Sequence, residues 1–226
     1  MISFEPCSDA PVLRAVHRSL MAPSFRPGEL VSEDDLITQF DHGAQAVLAH
    51  DQDGPMLGAA IIEHYGGAVL LEYLVTAPEA RGQGVGSGLM SAVLSGCGAS
   101  ATVLLAEFDR PDVQPVHPVH GDPTARLRFY ARFGALALDL PYFQPPVAAG
   151  ADREHGMLLA VFDQDGAISD RGALDARQQS AVRHYLDEIL ESADDPDARR
   201  LRAAAARDRL RALELDRYPE IARSPL

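Results

Sequence analysis

Lysine is missing from this chain, and all 20 of its basic residues are arginine. Without lysine there is no Schiff base for pyridoxal-type chemistry and no lysine to complete a P-loop. Asparagine is missing too. Its codons share their first two bases with those of lysine, so genome base composition accounts for both absences. Cysteine is scarce: Cys7 and Cys97 are too few for a disulfide framework or a zinc site. Cys7 follows an N-terminal strand and Cys97 lies in Ser95-Gly96-Cys97-Gly98, so both are expected to pack rather than react. Positive charge is in deficit. A net charge of −13 argues against nucleic acid and suits a cationic partner such as a protonated amine. No apolar run is long enough to span a bilayer, and no basic segment with an apolar stretch opens the chain. A soluble, cytoplasmic protein without a membrane partner is expected. At 226 residues there is material for one full core and an appendage.

The most informative segment is rich in glycine. Ala68-Val69-Leu70-Leu71-Glu72-Tyr73-Leu74-Val75 is near-continuously apolar and reads as a buried strand. Gly82, Gly84, Gly86 and Gly88 follow at alternate positions, and then Leu89, Met90, Val93 and Leu94 fall at helical spacing. Strand, glycine turn and helix start together make a cradle for a diphosphate. Glycine lets the backbone approach the ligand, and the first N–H groups of a helix have no partner within it. A P-loop is excluded by the missing lysine. The dinucleotide fingerprint needs a glycine five positions after its first, where this chain has Ser87 or Leu89. The pattern Arg/Gln-x-x-Gly-x-Gly/Ala remains, and Arg81-Gly82-Gln83-Gly84-Val85-Gly86 fits it.

A second motif lies downstream. Phe129-Tyr130-Ala131-Arg132-Phe133-Gly134 closes an amphipathic stretch in which Leu127, Tyr130 and Phe133 are helical neighbours, with Gly134 at the helix stop. With both motifs, and Val75-x-x-Pro78-Glu79-x-Arg81-Gly82 ahead of the first, the chain resembles the GNAT superfamily of acyl-CoA-dependent N-acyltransferases.

That resemblance implies acetyl-CoA as cosubstrate, a V-shaped cleft between strands four and five, and direct attack by an amine in a ternary complex. Backbone groups at Leu74 and Val75 would pair with the pantetheine arm, and the N–H near Leu74 would polarise the acyl carbonyl. The turn formed by Arg81, Gly82, Gln83, Gly84, Val85, Gly86 and Ser87 would hold the diphosphate. Tyr130 would protonate the departing thiolate. Many family members carry Asn seven residues before that Tyr, where this chain has Pro123.

For the base, Glu72 on strand four and Glu107 at the end of strand five are the candidates, with Glu63 a third. Period-two alternation places Glu72 on the side of Leu70 and Leu74. Glu29, Glu33, Asp34 and Asp35 lie where the family builds its acceptor wall. They offer either attraction for a cation or simply an acidic helix start. His117-Pro118-Val119-His120 with Asp122 has metal-like spacing, but its prolines bar a helical arrangement, and no metal is expected.

The expected fold class is α/β (α+β): a mixed, mostly antiparallel sheet with helices on both faces, in the order β-α-α-β-β-β-α-β-α-β-β. This GNAT domain is expected over residues 1–165. The proline-punctuated loop from Arg110 to Asp122 reads as functional because of its length. Residues 166–226 read as a helical hairpin extension. One helix carries Ala181, Val182, Tyr185, Leu186, Ile189 and Leu190. Asp194-Asp195-Pro196 starts a second, lined by Ala206, Leu210 and Leu213. Its arginines, from Arg199 to Arg211, read as a solvated face. Docking on the sheet, covering the cleft and forming a homodimer all stay open as its role. The acceptor is expected to be a small-molecule or peptide amine. The alternative reading is a catalytically inactive acyl-CoA-binding regulatory protein.

Overall fold

The computed structural model describes residues 1–26, 28–51, 54–97, 101–118, 121–147, 152–190 and 194–215. The chain divides into two units. The first takes residues 1–64, 69–100 and 146–151, and the second takes 65–68, 101–145 and 152 onward. Every strand pairing named below is antiparallel.

In the first unit the strand order is β1 (Ile2–Cys7), β2 (Gln45–Asp51), β3 (Met56–Tyr65) and β4 (Ala68–Thr76). Pro6 lies opposite Val47 on β1, an edge of this order where a missing N–H is tolerated. Helix α1 (Ala10–Val16) starts where the Asp9 carboxylate accepts the Val12 N–H at 3.0 Å. Its continuation widens over His17–Met21, where the Ala22 N–H reaches the His17 carbonyl at 2.8 Å. Helix α2 (Glu33–Asp41) is capped by Ser32, whose hydroxyl accepts the Asp35 N–H at 3.1 Å.

Helix α3 (Val85–Cys97) packs on β1 and β2 through buried Leu89, Met90 and Val93. Two glycines set this approach. A Cβ on Gly58 would meet the Val75 carbonyl oxygen at 2.7 Å, and one on Gly88 would enter the Phe4 ring.

In the second unit the strand order is β5 (Val103–Asp109), β7 (Met157–Phe162), β6 (Ala135–Leu138) and β8 (Ala212–Glu214). All six residues of β7 are buried and apolar, as its place between β5 and β6 requires. Helix α4 (Pro123–Ala131) lies against β5 and β6, with Pro123 at its first turn and the Asp122 carboxylate accepting the Thr124 N–H at 2.9 Å.

Helices α5 (Ala167–Arg171), α6 (Ala176–Ile189) and α7 (Pro196–Ala205) follow. Asp175 and Gln178 form a capping box at α6, and Ala181, Val182, Tyr185 and Leu186 are its buried stripe. Ile189 ends α6 and Leu190 caps it.

The second hairpin helix is shorter than the sequence suggests. It stops at Ala205, Ala206 is its cap, and Leu213 lies in β8 opposite Ala137. Leu210, Ala212, Leu213 and Leu215 are buried while Arg211 and Glu214 are exposed, so this edge of the sheet takes residues assigned above to a helix face. Residues 166–215 thus contribute a strand to the same sheet as β5, β6 and β7, and α6 lies against β5. Among the described residues no helix is long and apolar enough to cross a membrane.

Candidate active site

The glycine turn closes β4 and opens α3. After Pro78–Ala80, a single tight turn, Arg81 is extended, and Gly82 and Gly84 take φ of +79° and +84°. Only glycine adopts those values without strain. A Cβ at either position would meet nothing within 4 Å, so the turn presents bare backbone outward. The first bond of α3 runs from the Gly88 N–H to the Gly84 carbonyl at 2.9 Å. The N–H groups of Val85, Gly86 and Ser87 therefore sit ahead of the helical ladder, at the positive end of its dipole. Val85 is buried and anchors the turn, Gln83 ties its amide to the Glu79 carbonyl at 2.7 Å, and Arg81 is exposed. This geometry suits an anion.

On β4, Tyr73 and Val75 are buried, while Glu72, Leu74 and Thr76 alternate with them and are half-buried. Leu70, two residues before Glu72, is buried. The Gln39 amide donates to Glu72 Oε1 at 3.0 Å, which fixes that carboxylate against α2. Glu63, on β3, is half-buried.

The acidic residues at the start of α2 are not an open cation trap. Arg18 and Arg14 both bind Glu33, Arg14 also takes Asp34 at 2.8 Å, and Arg26 pairs with Glu29. Asp35 accepts the Ser32 hydroxyl at 2.6 Å. The Arg18 guanidinium, with Arg14 beside it, holds the Glu33 carboxyl down at about 2. Nearby, the Tyr73 hydroxyl accepts the Val31 N–H and donates to the Glu29 carbonyl, both at 3.2 Å, and buried His17 Nε2 donates to the Val31 carbonyl at 2.9 Å. These bonds pin the segment between α1 and α2.

In the second unit, Tyr130 occupies the last turn of α4. Its ring stacks on Phe108 with centroids 4.3 Å apart and meets Phe162 edge-on at 6.2 Å. Among the described residues none hydrogen-bonds its hydroxyl. Burial pushes the phenol up to about 12, with nearby Arg126 pulling the other way, so it stays protonated at neutral pH. Gly134, φ +79°, ends the segment as expected, and its missing Cβ makes room for the Asp163 carbonyl.

Glu107, on β5, has both carboxylate oxygens engaged. Tyr142 donates to Oε1 and the Gln144 amide donates to Oε2 at 2.7 Å. The Tyr142 hydroxyl also lies 3.2 Å from that of Tyr185. Burial pushes Glu107 above the usual carboxylate range although these hydrogen bonds oppose it. The same burial, with the Glu107 charge beside it, puts Tyr142 well above the usual phenol value. The sequence reading assigned no role to Tyr142 or Gln144. Their signal is weak but legible: two polar residues at alternate positions between Pro141 and Pro145, which hold the segment extended.

Tyr142 also lines a cavity of 880 Å³ in this unit, together with Phe143, residues around the start of β7, and α7. In the loop after β5, His117 is exposed, Asp122 is the α4 cap, and His120 lies outside the described residues. Cys7 is half-buried at the end of β1, and Cys97 is the last residue of α3.

Residues 42–134, which contain both the glycine turn and Tyr130, match the family profile of the acetyltransferase (GNAT) domain. A mycothiol acetyltransferase of Clavibacter sepedonicus is 33% identical over 139 residues, covering 61% of this chain and 42% of that protein. One from Nocardia farcinica is 31% identical over 140 residues, with coverage of 61% and 46%. The chain therefore spans less than half the length of these curated relatives. A solved GNAT-family protein from Bacteroides thetaiotaomicron has the same fold, with a TM-score of 0.60 at 24% identity, covering 83% of this chain and 97% of that one.

Proposed function

We propose that the chain is a GNAT acetyltransferase, as the domain profile matching residues 42–134 supports, and that it transfers an acetyl group from acetyl-CoA to the amine of a small molecule or peptide. The observation that carries this reading is the glycine turn. It has two left-handed glycines with open space beside them and three N–H groups ahead of the helical ladder. The relatives' shared name supports acetyl transfer, while the acceptor has to be argued from this chain's own residues.

The amides of Gly82 to Ser87 hold the diphosphate, and Leu74 and Val75 offer main-chain partners to the pantetheine arm. The amine nitrogen attacks the thioester carbonyl, a C–N bond forms, the C–S bond breaks, and the thiolate leaves. Alkylamines are protonated at neutral pH, so a carboxylate must first remove a proton. Glu107 has the better environment for that work, because burial raises its proton affinity, and the Tyr142 phenol links it to the cavity. Glu72, held by Gln39, is the second candidate.

Tyr130 serves the leaving sulfur. A phenol that burial raises to about 12 is a weaker acid than an alkyl thiol, so full protonation of the thiolate by it is uphill. Its contribution is therefore hydrogen-bond stabilisation of the developing thiolate, and full transfer is completed as the product acquires other partners.

The test is thiol release from acetyl-CoA across a panel of amines. Amine-dependent release that Glu107→Gln depresses supports the reading, with a roughly 10²- to 10⁴-fold loss expected for a missing base. Release that no amine stimulates, by a protein that binds the coenzyme, would favour the inactive regulatory alternative.

A further inference from the structure

We propose that the 880 Å³ cavity of the second unit binds a zwitterionic acceptor: an amino acid or short peptide that carries a free carboxylate as well as its amine. The inference rests on the acetyltransferase reading for the word acceptor, but its geometry stands by itself. The volume lies within the range of about 300–1,000 Å³ usual for small-molecule sites. Buried Tyr142 and Phe143 form part of its lining and give an aromatic surface for an apolar body.

The charges around this cavity are mixed and unevenly satisfied. Arg110 is bound by Asp112 at 3.0 Å, and Asp197 is taken by Arg153 at 3.2 Å. Arg200 on α7 and Arg207 just beyond it also line the cavity, yet among the described residues neither guanidinium has an ion-pair or hydrogen-bond partner. Both arginines are exposed and line the same cavity. They suit a carboxylate, which a guanidinium binds in a bidentate manner.

Negative charge is present in the same lining. Among the described residues the Asp139 side chain has no partner, and the Glu154 carboxylate accepts the Gly156 N–H alone, at 2.6 Å through one oxygen. These groups suit an ammonium. A ligand with a single sign of charge satisfies half of this wall and is repelled by the other half. A polyamine is therefore disfavoured by Arg200 and Arg207, and a plain dicarboxylate by Asp139 and Glu154. Tyr142 lines this cavity and donates to Glu107, which gives the bound ammonium a route for its proton through the phenol.

Binding is the readout that separates this inference from the catalytic one. Saturation-transfer NMR on the full chain, with CoA present, would compare free amino acids and dipeptides with their C-terminal amides and with spermidine. Loss of the carboxylate is expected to weaken binding at least about ten-fold, and spermidine to bind more weakly than the dipeptides. In Arg200→Ala/Arg207→Ala, whose fold is checked by circular dichroism, acid and amide are expected to bind alike. The proposal is overturned if acids and amides bind the wild type equally, if no amino acid or dipeptide binds, or if the double variant keeps the preference. Zwitterion binding without acetyl transfer would instead sink the catalytic reading and leave the pocket standing. Turnover confined to amines lacking a carboxylate would do the reverse.

Discussion

The Tyr142 phenol donates its hydrogen to Glu107 across 35 residues of sequence, and Gln144 completes the bracket on the other carboxylate oxygen. A buried carboxylate held by neutral donors is stabilised without being neutralised. Its proton affinity therefore remains above that of a solvated glutamate.

This has a consequence for stability against pH. Between the ordinary glutamate value and the raised one, the folded protein holds a proton on Glu107 that the unfolded chain has released. Bound protons are then more numerous in the native state, so this group's contribution falls as pH rises through that window. Urea midpoints of the wild type measured against Glu107→Gln will converge or cross in that direction. A difference independent of pH would show that the carboxylate is not perturbed.

Glu33 behaves with the opposite sign. Its folded value, about 2, lies below the ordinary 4.5 because Arg18 and Arg14 bind the ionised form. The stability it contributes is present above the ordinary value and is lost as pH falls through about 2. Denaturation midpoints of Glu33→Gln will therefore lie below wild type at neutral pH and approach it in acid. The effect will be small and sensitive to salt, as for exposed ion pairs generally.

Tyr130→Phe separates chemistry from packing. The ring keeps its stack on Phe108, and the hydroxyl has no hydrogen-bond partner among the described residues, so the melting temperature will hold. The rate of acetyl transfer will fall by roughly 10²-fold, the usual scale for a lost donor to a developing charge. Unchanged turnover in the variant would remove Tyr130 from the mechanism.

Gly88→Ala tests the seat of the cradle. The added methyl enters the Phe4 ring, which forces α3 and β1 apart and lowers stability by about 1–3 kcal/mol in chemical denaturation. A neutral result would mean that Phe4 swings aside without loss.

What could be read from the sequence follows the range of the interactions. The glycine turn was legible because its determinants, from Arg81 to Gly88, are local, and the same holds for the Tyr130–Gly134 helix end. The Asp195 helix start was legible for the same reason. The bracket around Glu107 was not, since Tyr142 and Gln144 reach it through a loop whose path only the folded sheet defines. Leu210 and Leu213 misled because their spacing also fits a helix. Their place in and beside β8 depends on an edge, β6, more than 70 residues earlier in the chain, which no local pattern announces. The acidic residues from Glu29 to Asp35 read either as a cation attractor or as a helix start, because the partners of Glu33, Arg14 and Arg18, come from an earlier part of the chain.

Calorimetric titration of CoA into the wild type and into Gly84→Ala tests the central claim most directly. At Gly84 the left-handed φ of +84° makes any side chain strained, and the added methyl points to open space where the diphosphate is proposed to lie. The account predicts saturable binding by the wild type and at least about a ten-fold loss in a variant that remains folded. Absence of binding by the wild type, or equal affinity in the two proteins, would contradict it.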